Sequence, residues 1–172
     1  MIPGFIVAIL TFPGVIVHEA AHLLFCKWRK VPVMDVCFFR FGNPVGYVIH
    51  AKPNDFTSAF LISVGPFIIN SLLCVLICFP AYAPVKFFDI THPFSYVLLW
   101  LGISIGMHAF PSTHDASNLW EEAKVAARDG NLLAIVSFPL VGLIYLANLG
   151  SVFWLDYLYG LVLGLGLPSL LL

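Results

Sequence analysis

Three residues in an apolar segment near the start of the chain have the types and spacing of a metal-dependent hydrolase. His18, Glu19 and His22 form an H-E-x-x-H pattern within residues 15–24. On an α-helix, positions i and i+4 lie on one face, so both imidazoles can reach one Zn²⁺ while Glu19 lies beside them to act on water. A pair of core histidines is the alternative. Polar groups in an apolar span are costly, however, and by default indicate function.

A catalytic zinc needs a third protein ligand, and the candidates lie in one helix-breaking stretch after another apolar segment. His108, His114 and Asp115 lie in or next to residues 110–115. We predict that Asp115 is the ligand because its carboxylate is a hard oxygen donor, although a simple helix N-cap is the alternative. His108 and His114 are the alternative third ligands, or they donate hydrogen bonds to the groups that hold the metal. Asn70 lies halfway along a further segment, where it would either stabilise an oxyanion or join helices.

The composition is that of a membrane protein. Of the 172 residues, 60% are hydrophobic and 10% are charged, and the mean hydropathy is +0.97. Soluble domains have about 25% charged residues. We therefore expect one membrane-embedded domain over residues 1–172, multi-pass in the lipid bilayer of the cell membrane. The net charge of −1 predicts no nucleic-acid partner, and the four cysteines do not suggest a disulfide framework. The sequence does not indicate an oligomeric state.

The elements that must position these residues follow from the apolar pattern. The predicted fold is an all-α polytopic membrane protein with about five transmembrane helices and a small surface β-hairpin between the first two. A short surface helix is predicted over residues 115–129, with Ser112 or Asp115 as its N-cap. The predicted spans are 3–26, 56–80, 93–111, 132–149 and 152–171, with the hairpin at 31–54 and a loop at 81–92.

The basic residues predict an orientation. Seven of the eight lie between spans one and two or between spans three and four, and Lys86 lies between spans two and three. The positive-inside rule makes the side with seven basic residues cytoplasmic. The last span then ends inside. His18, His22, Asn70 and Asp115 all fall in the cytoplasmic half, so the active site is predicted to face the cytoplasm.

Three motifs in order resemble the site-2 protease family of intramembrane zinc metalloproteases. They are the H-E-A-A-H motif at residues 18–22, the G-P-F-I-I-N stretch at 65–70, and the F-P-S-T-H-D stretch at 110–115. The resemblance covers residues 13–120 and implies two zinc ligands and a catalytic Glu in the first motif, an active-site Asn in the second and an Asp ligand in the third. Asn70 is one residue further from Pro66 than the family spacing, and Ala116 replaces the family's Gly.

The expected function is therefore zinc-dependent hydrolysis of peptide bonds in transmembrane or signal-peptide segments. Glu19 would act as the general base and Asn70 would assist, while His18, His22 and Asp115 would hold Zn²⁺. Two alternatives stay open. One is a membrane metal-binding scaffold without proteolysis, for which a base at position 19 would have no use. The other is a membrane zinc hydrolase that acts on a non-peptide bond.

Overall fold

The computed structural model describes residues 4–88, 92–150 and 153–172 and is mostly helical, with one two-stranded antiparallel sheet. A π-helical turn over Val162–Gly166 joins the last two helices. The strands are β1 (Val33–Cys37) and β2 (Tyr47–His50), and the helices are α1 (Gly4–Leu10), α2 (Phe12–Trp28), α3 (Phe56–Phe88), α4 (Pro93–Met107), α5 (Thr113–Arg128), α6 (Leu132–Gly150), α7 (Leu155–Leu161) and α8 (Leu167–Leu171).

Two helices of the described part are long and apolar enough to cross a membrane, namely α3 and α6. The helix α4 and the continuous helical stretch Leu155–Leu171 are apolar but shorter. The predicted first span is divided at Thr11 into α1 and α2. The mostly helical fold and the small hairpin are thus confirmed, whereas five spanning helices remain a prediction.

The helix α3 is longer than predicted. A loop was expected at residues 81–92 because Pro80 and Pro84 interrupt the apolar segment, but the helix continues through both to Phe88. Residues 89–91 lie outside the described part of the chain. Proline removes one helical hydrogen bond, yet apolar helices tolerate it where neighbouring helices support the backbone. The stretch α8 lies beside this end of α3, since Lys86 Nζ donates to the Ser169 carbonyl at 3.0 Å.

The hairpin lies along α2. Its strands pair from Val33 with His50 to Cys37 with Tyr47. Beyond β1, the ring of Phe39 lies 5.6 Å from that of Phe12, which in turn lies 6.2 Å from Trp100 of α4. The hairpin folds back from the end of α2 towards the start of that helix, which brings its backbone alongside the H-E-x-x-H motif. Its expected position at the membrane surface remains a prediction.

The last helices run in a different direction from the predicted one. The Ser71 and Tyr159 hydroxyls lie 2.7 Å apart, and Lys86 binds Ser169, so the stretch α7–α8 is parallel to α3. The expectation that Lys86 and the end of the last span face opposite sides is therefore wrong. The helices α5 and α6 form an antiparallel pair around a core of Leu119, Ala123 and Val141. This pairing returns the end of α6 to the start of α5.

Candidate metal centre

The two histidines of the H-E-x-x-H motif face each other on α2. His18 and His22 are both buried, and their Nε2 atoms lie 3.1 Å apart. Their Nδ1 atoms point to backbone carbonyls, with His18 2.7 Å from the His108 oxygen and His22 2.9 Å from the Ile62 oxygen. A carbonyl only accepts hydrogen bonds, so each Nδ1 donates and each neutral ring keeps its lone pair on Nε2. Two such lone pairs repel each other unless a cation lies between them.

Asp115 completes the cluster from the first turn of α5. Ser112 is the N-cap of this helix, and Asp115 is the third residue of its capping box rather than the cap itself. The Ser112 hydroxyl and backbone N–H donate to Asp115 Oδ2 at 2.6 and 2.9 Å. The same oxygen lies 3.5 Å from His22 Nε2. Helix capping therefore fixes the carboxylate towards the imidazoles, so the capping and ligand explanations are compatible.

The three side chains could hold a metal ion. One ligand atom each from His18, His22 and Asp115 lies within 4.8 Å of the other two. Tetrahedral zinc with bonds of about 2.1 Å keeps its ligand atoms about 3.4 Å apart. The two short separations in the cluster, 3.1 and 3.5 Å, bracket that value. Two nitrogens and one carboxylate also make a ligand set found at catalytic zinc sites, which leave a fourth position for water.

Glu19 lies beside the cluster, between two cavities. One cavity, of about 280 Å³, is lined by His18 and Glu19 together with the α4–α5 link and the α6–α7 ends. The other, of about 370 Å³, is lined by the same two residues, by β2 and by the start of α5. Both cavities also contact Gly46. His18 and Glu19 therefore line both cavities.

Gly46 is a site residue that sequence reasoning missed. A Cβ at this position would lie 2.8 Å from Glu19 Cγ and 3.0 Å from the Phe38 carbonyl. Only glycine therefore lets the hairpin approach Glu19 so closely. The sequence showed Gly46 as part of a turn, and nothing in its local pattern indicated contact with the motif. The Ile62 and His108 carbonyls were likewise not predicted, because any residue type can supply them.

Asn70 does not line either cavity and is fully buried. Its Nδ2 lies 3.0 Å from the His108 carbonyl, 3.1 Å from that of Ile105 and 3.3 Å from that of Gly14. The geometry favours a role in joining α2, α3 and α4. A role as oxyanion donor stays a prediction. The His108 carbonyl also accepts the His18 Nδ1–H, so Asn70 helps to fix the acceptor that orients one imidazole.

The two alternative third ligands lie apart from the cluster. The ring of His108 is 2.8 Å from the Thr11 hydroxyl, which itself donates to the Val7 carbonyl, so this ring helps to hold the break between α1 and α2. His114 is exposed on α5 at the rim of the larger cavity. Of the three sequence candidates, the structure brings only Asp115 to the histidine pair.

Comparison of the chain with protein-family models, curated proteins and solved structures finds no match. The resemblance to site-2 proteases therefore rests on the motifs and remains a prediction. The structure brings His18, His22 and Asp115 together and places Glu19 beside them.

Proposed function

We propose that the protein is a zinc-dependent intramembrane endopeptidase. One observation carries the proposal: two imidazoles of α2 and a carboxylate of α5 converge, and the Glu19 side chain beside them lines two cavities. A metal store would need the three ligands but not a base. A hydrolase needs both, together with room for a substrate next to them.

Each group has a definable task in this proposal. His18, His22 and Asp115 would hold the ion, and bound zinc would supply Lewis-acid activation of water at the site. Glu19 is within reach of the same space and takes a proton from water, then returns it to the leaving amine. The Ile62 and His108 carbonyls keep the imidazoles in the tautomer that leaves Nε2 free for metal. The chain thus provides a general base next to three side chains positioned to bind a metal.

The hairpin offers a surface for an extended peptide. Within the described sheet β2 pairs only with β1, and residues 47–50 line the larger cavity next to His18 and Glu19. An exposed strand edge binds extended peptides by adding a strand. A transmembrane helix has its amides paired internally, so it must unwind before it can bind there. We infer that the unwound segment lies along β2, which presents one peptide bond to Glu19.

We place the protein in the membrane as a multi-pass protein with this site towards the cytoplasm. Support comes from the two long apolar helices and from the broad apolar outer surfaces of α4 and α7–α8. Basic residues cluster where α2 ends, and Arg29 there lies 3.5 Å from Asp55. The positive-inside rule assigns that end to the cytoplasm. The end of α8 lies beside Lys86, which we place on the non-cytoplasmic side of the membrane.

The test is metal analysis combined with a cleavage assay. Protein purified in detergent should contain about one zinc per chain and should cleave some members of a panel of transmembrane and signal-peptide segments. Removing the metal with a chelator should abolish cleavage, and added zinc should restore it. Zinc without cleavage of any peptide would favour the scaffold, or a hydrolase of a non-peptide bond. Protein that neither contains nor binds zinc would overturn the proposal.

A further inference from the structure

The smaller cavity contains a second carboxylate besides Glu19. Asp156, in the first turn of α7, lines the same 280 Å³ space as His18 and Glu19. The rest of the wall is largely apolar and includes Ala8, Val15 and Met107. Among the residues that the structure describes, no lysine or arginine lines this cavity, and its two carboxylates are those of Glu19 and Asp156.

Asp156 has no cationic partner among the residues that the structure describes. Its Oδ1 accepts a hydrogen bond from the neighbouring Tyr157 N–H at 3.0 Å, and no described lysine, arginine or histidine lies within 4 Å of the carboxylate. Attraction to the start of α7 accounts for an acid in the first turn. It does not account for an acid in the wall of an apolar cavity beside the metal cluster, where an unpaired charge is costly. A cation from outside the chain would relieve that cost.

We propose that this cavity binds a lysine or arginine side chain of the substrate, with Asp156 as the specificity-determining residue. This inference rests on the proposed function. The apolar walls suit the aliphatic stem of such a side chain, and Asp156 suits its charged end. A segment that passes Glu19 from the larger cavity would place one of its side chains in the smaller one.

The test uses transmembrane peptides of one sequence that differ only by Lys, Gln or Glu at one residue beside the cleaved bond. We expect the parent protein to cleave the Lys peptide with a kcat/KM about five-fold above that of the Gln peptide, the upper range for a partly exposed ion pair. Asp156→Asn should remove the preference, and Asp156→Lys should reverse it towards the Glu peptide. Asp129→Asn, which neutralises an exposed acid at the end of α5, is the matched control and should leave the preference unchanged.

Binding to the Glu19→Gln variant separates the two proposals. Fluorescence anisotropy with the same peptides should show the same order of affinity without cleavage. If the parent cleaves all three peptides equally and Asp156→Lys changes nothing, the charge inference is wrong while the peptidase proposal stands. If no peptide is cleaved but the Lys peptide binds best and Asp156→Lys reverses that order, the cavity inference stands and the peptidase proposal fails. Equal binding and no cleavage would overturn both.

Discussion

Gly14 lies where α2 packs tightly against α4, and enlarging it should damage the metal centre from a distance. A Cβ at this position would clash with the Ser104 carbonyl oxygen and lie 2.5 Å from His108 Cδ2. Because backbone atoms cannot rotate away, the two helices must separate by about 1 Å to restore ordinary contact. Overpacking of this kind costs roughly 1–3 kcal/mol, against about 1 kcal/mol gained from the better helix propensity of Ala.

The separation of α2 from α4 would also move a group that orients a metal ligand. The His108 carbonyl that fixes His18 lies at the end of α4, one helical turn beyond Ser104. A displacement of about 1 Å at a reacting centre can lower activity by about 10²-fold. We therefore expect Gly14→Ala to lower both zinc affinity and cleavage rate, measured by competition with a chromophoric chelator and by peptide cleavage.

Gly142→Ala is the matched control for this prediction. Gly142 lies inside α6, and a Cβ there meets no atom within 4 Å. This variant should be slightly more stable than the parent protein, by up to about 1 kcal/mol, because Ala is the better helix former. Thermal unfolding in detergent should thus place Gly14→Ala below Gly142→Ala. A Gly14→Ala protein with parental zinc affinity and cleavage would refute the close packing of α2 on α4.

Further outcomes follow from single contacts. His22→Ala should lose most of its zinc, and Asp115→Asn should bind zinc more weakly than the parent protein. Metal analysis after dialysis checks both. Tight zinc binding by Asp115→Asn would mean that the third ligand is another residue, of which His114 is the next to test. Single cysteines at positions 86 and 169 of a cysteine-free variant should react with an impermeant reagent from the same side of the membrane, and position 124 from the other. Hydrogen bonds from Ser58 hold the pKa of Asp55 below its ordinary value, so this contribution to folding is present above about pH 4 and is lost as the pH falls through the folded-state pKa. Asp55→Ala should therefore lower the free energy of unfolding by about 1 kcal/mol at neutral pH, and the difference from the parent protein should become smaller in acid.

The helices and the hairpin could be predicted because their signals are local. Apolar runs, turn residues and the Ser112 cap each depend on neighbours in sequence. The direction of α7–α8 could not be predicted in this way. Charge counting places loops on one side or the other, but α7 and α8 carry no basic residue to count. Their direction is set by side-chain contacts with α3, such as that between Ser71 and Tyr159.

The site was partly predictable for a similar reason. His18 and His22 are four residues apart on one helix, so their meeting follows from helical geometry. Asp115 required a guess about how a third segment packs, which its position at a helix-breaking stretch supported. Gly46 and the Ile62 carbonyl required the tertiary fold itself. Asn70 shows the limit of residue type as a guide, since an amide near a metal site can serve the reaction or join helices, and here its contacts favour joining.

The most direct test of the central claim is zinc content and peptide cleavage in the Glu19→Gln variant. Glu19 lies beside the ligand cluster but is not part of it. We predict that the variant retains about one zinc per chain and its thermal stability, while cleavage falls by at least about 10²-fold, the usual scale for loss of a general base. A variant that binds zinc and still cleaves at the parental rate would contradict the assignment of Glu19 and, with it, the hydrolase proposal.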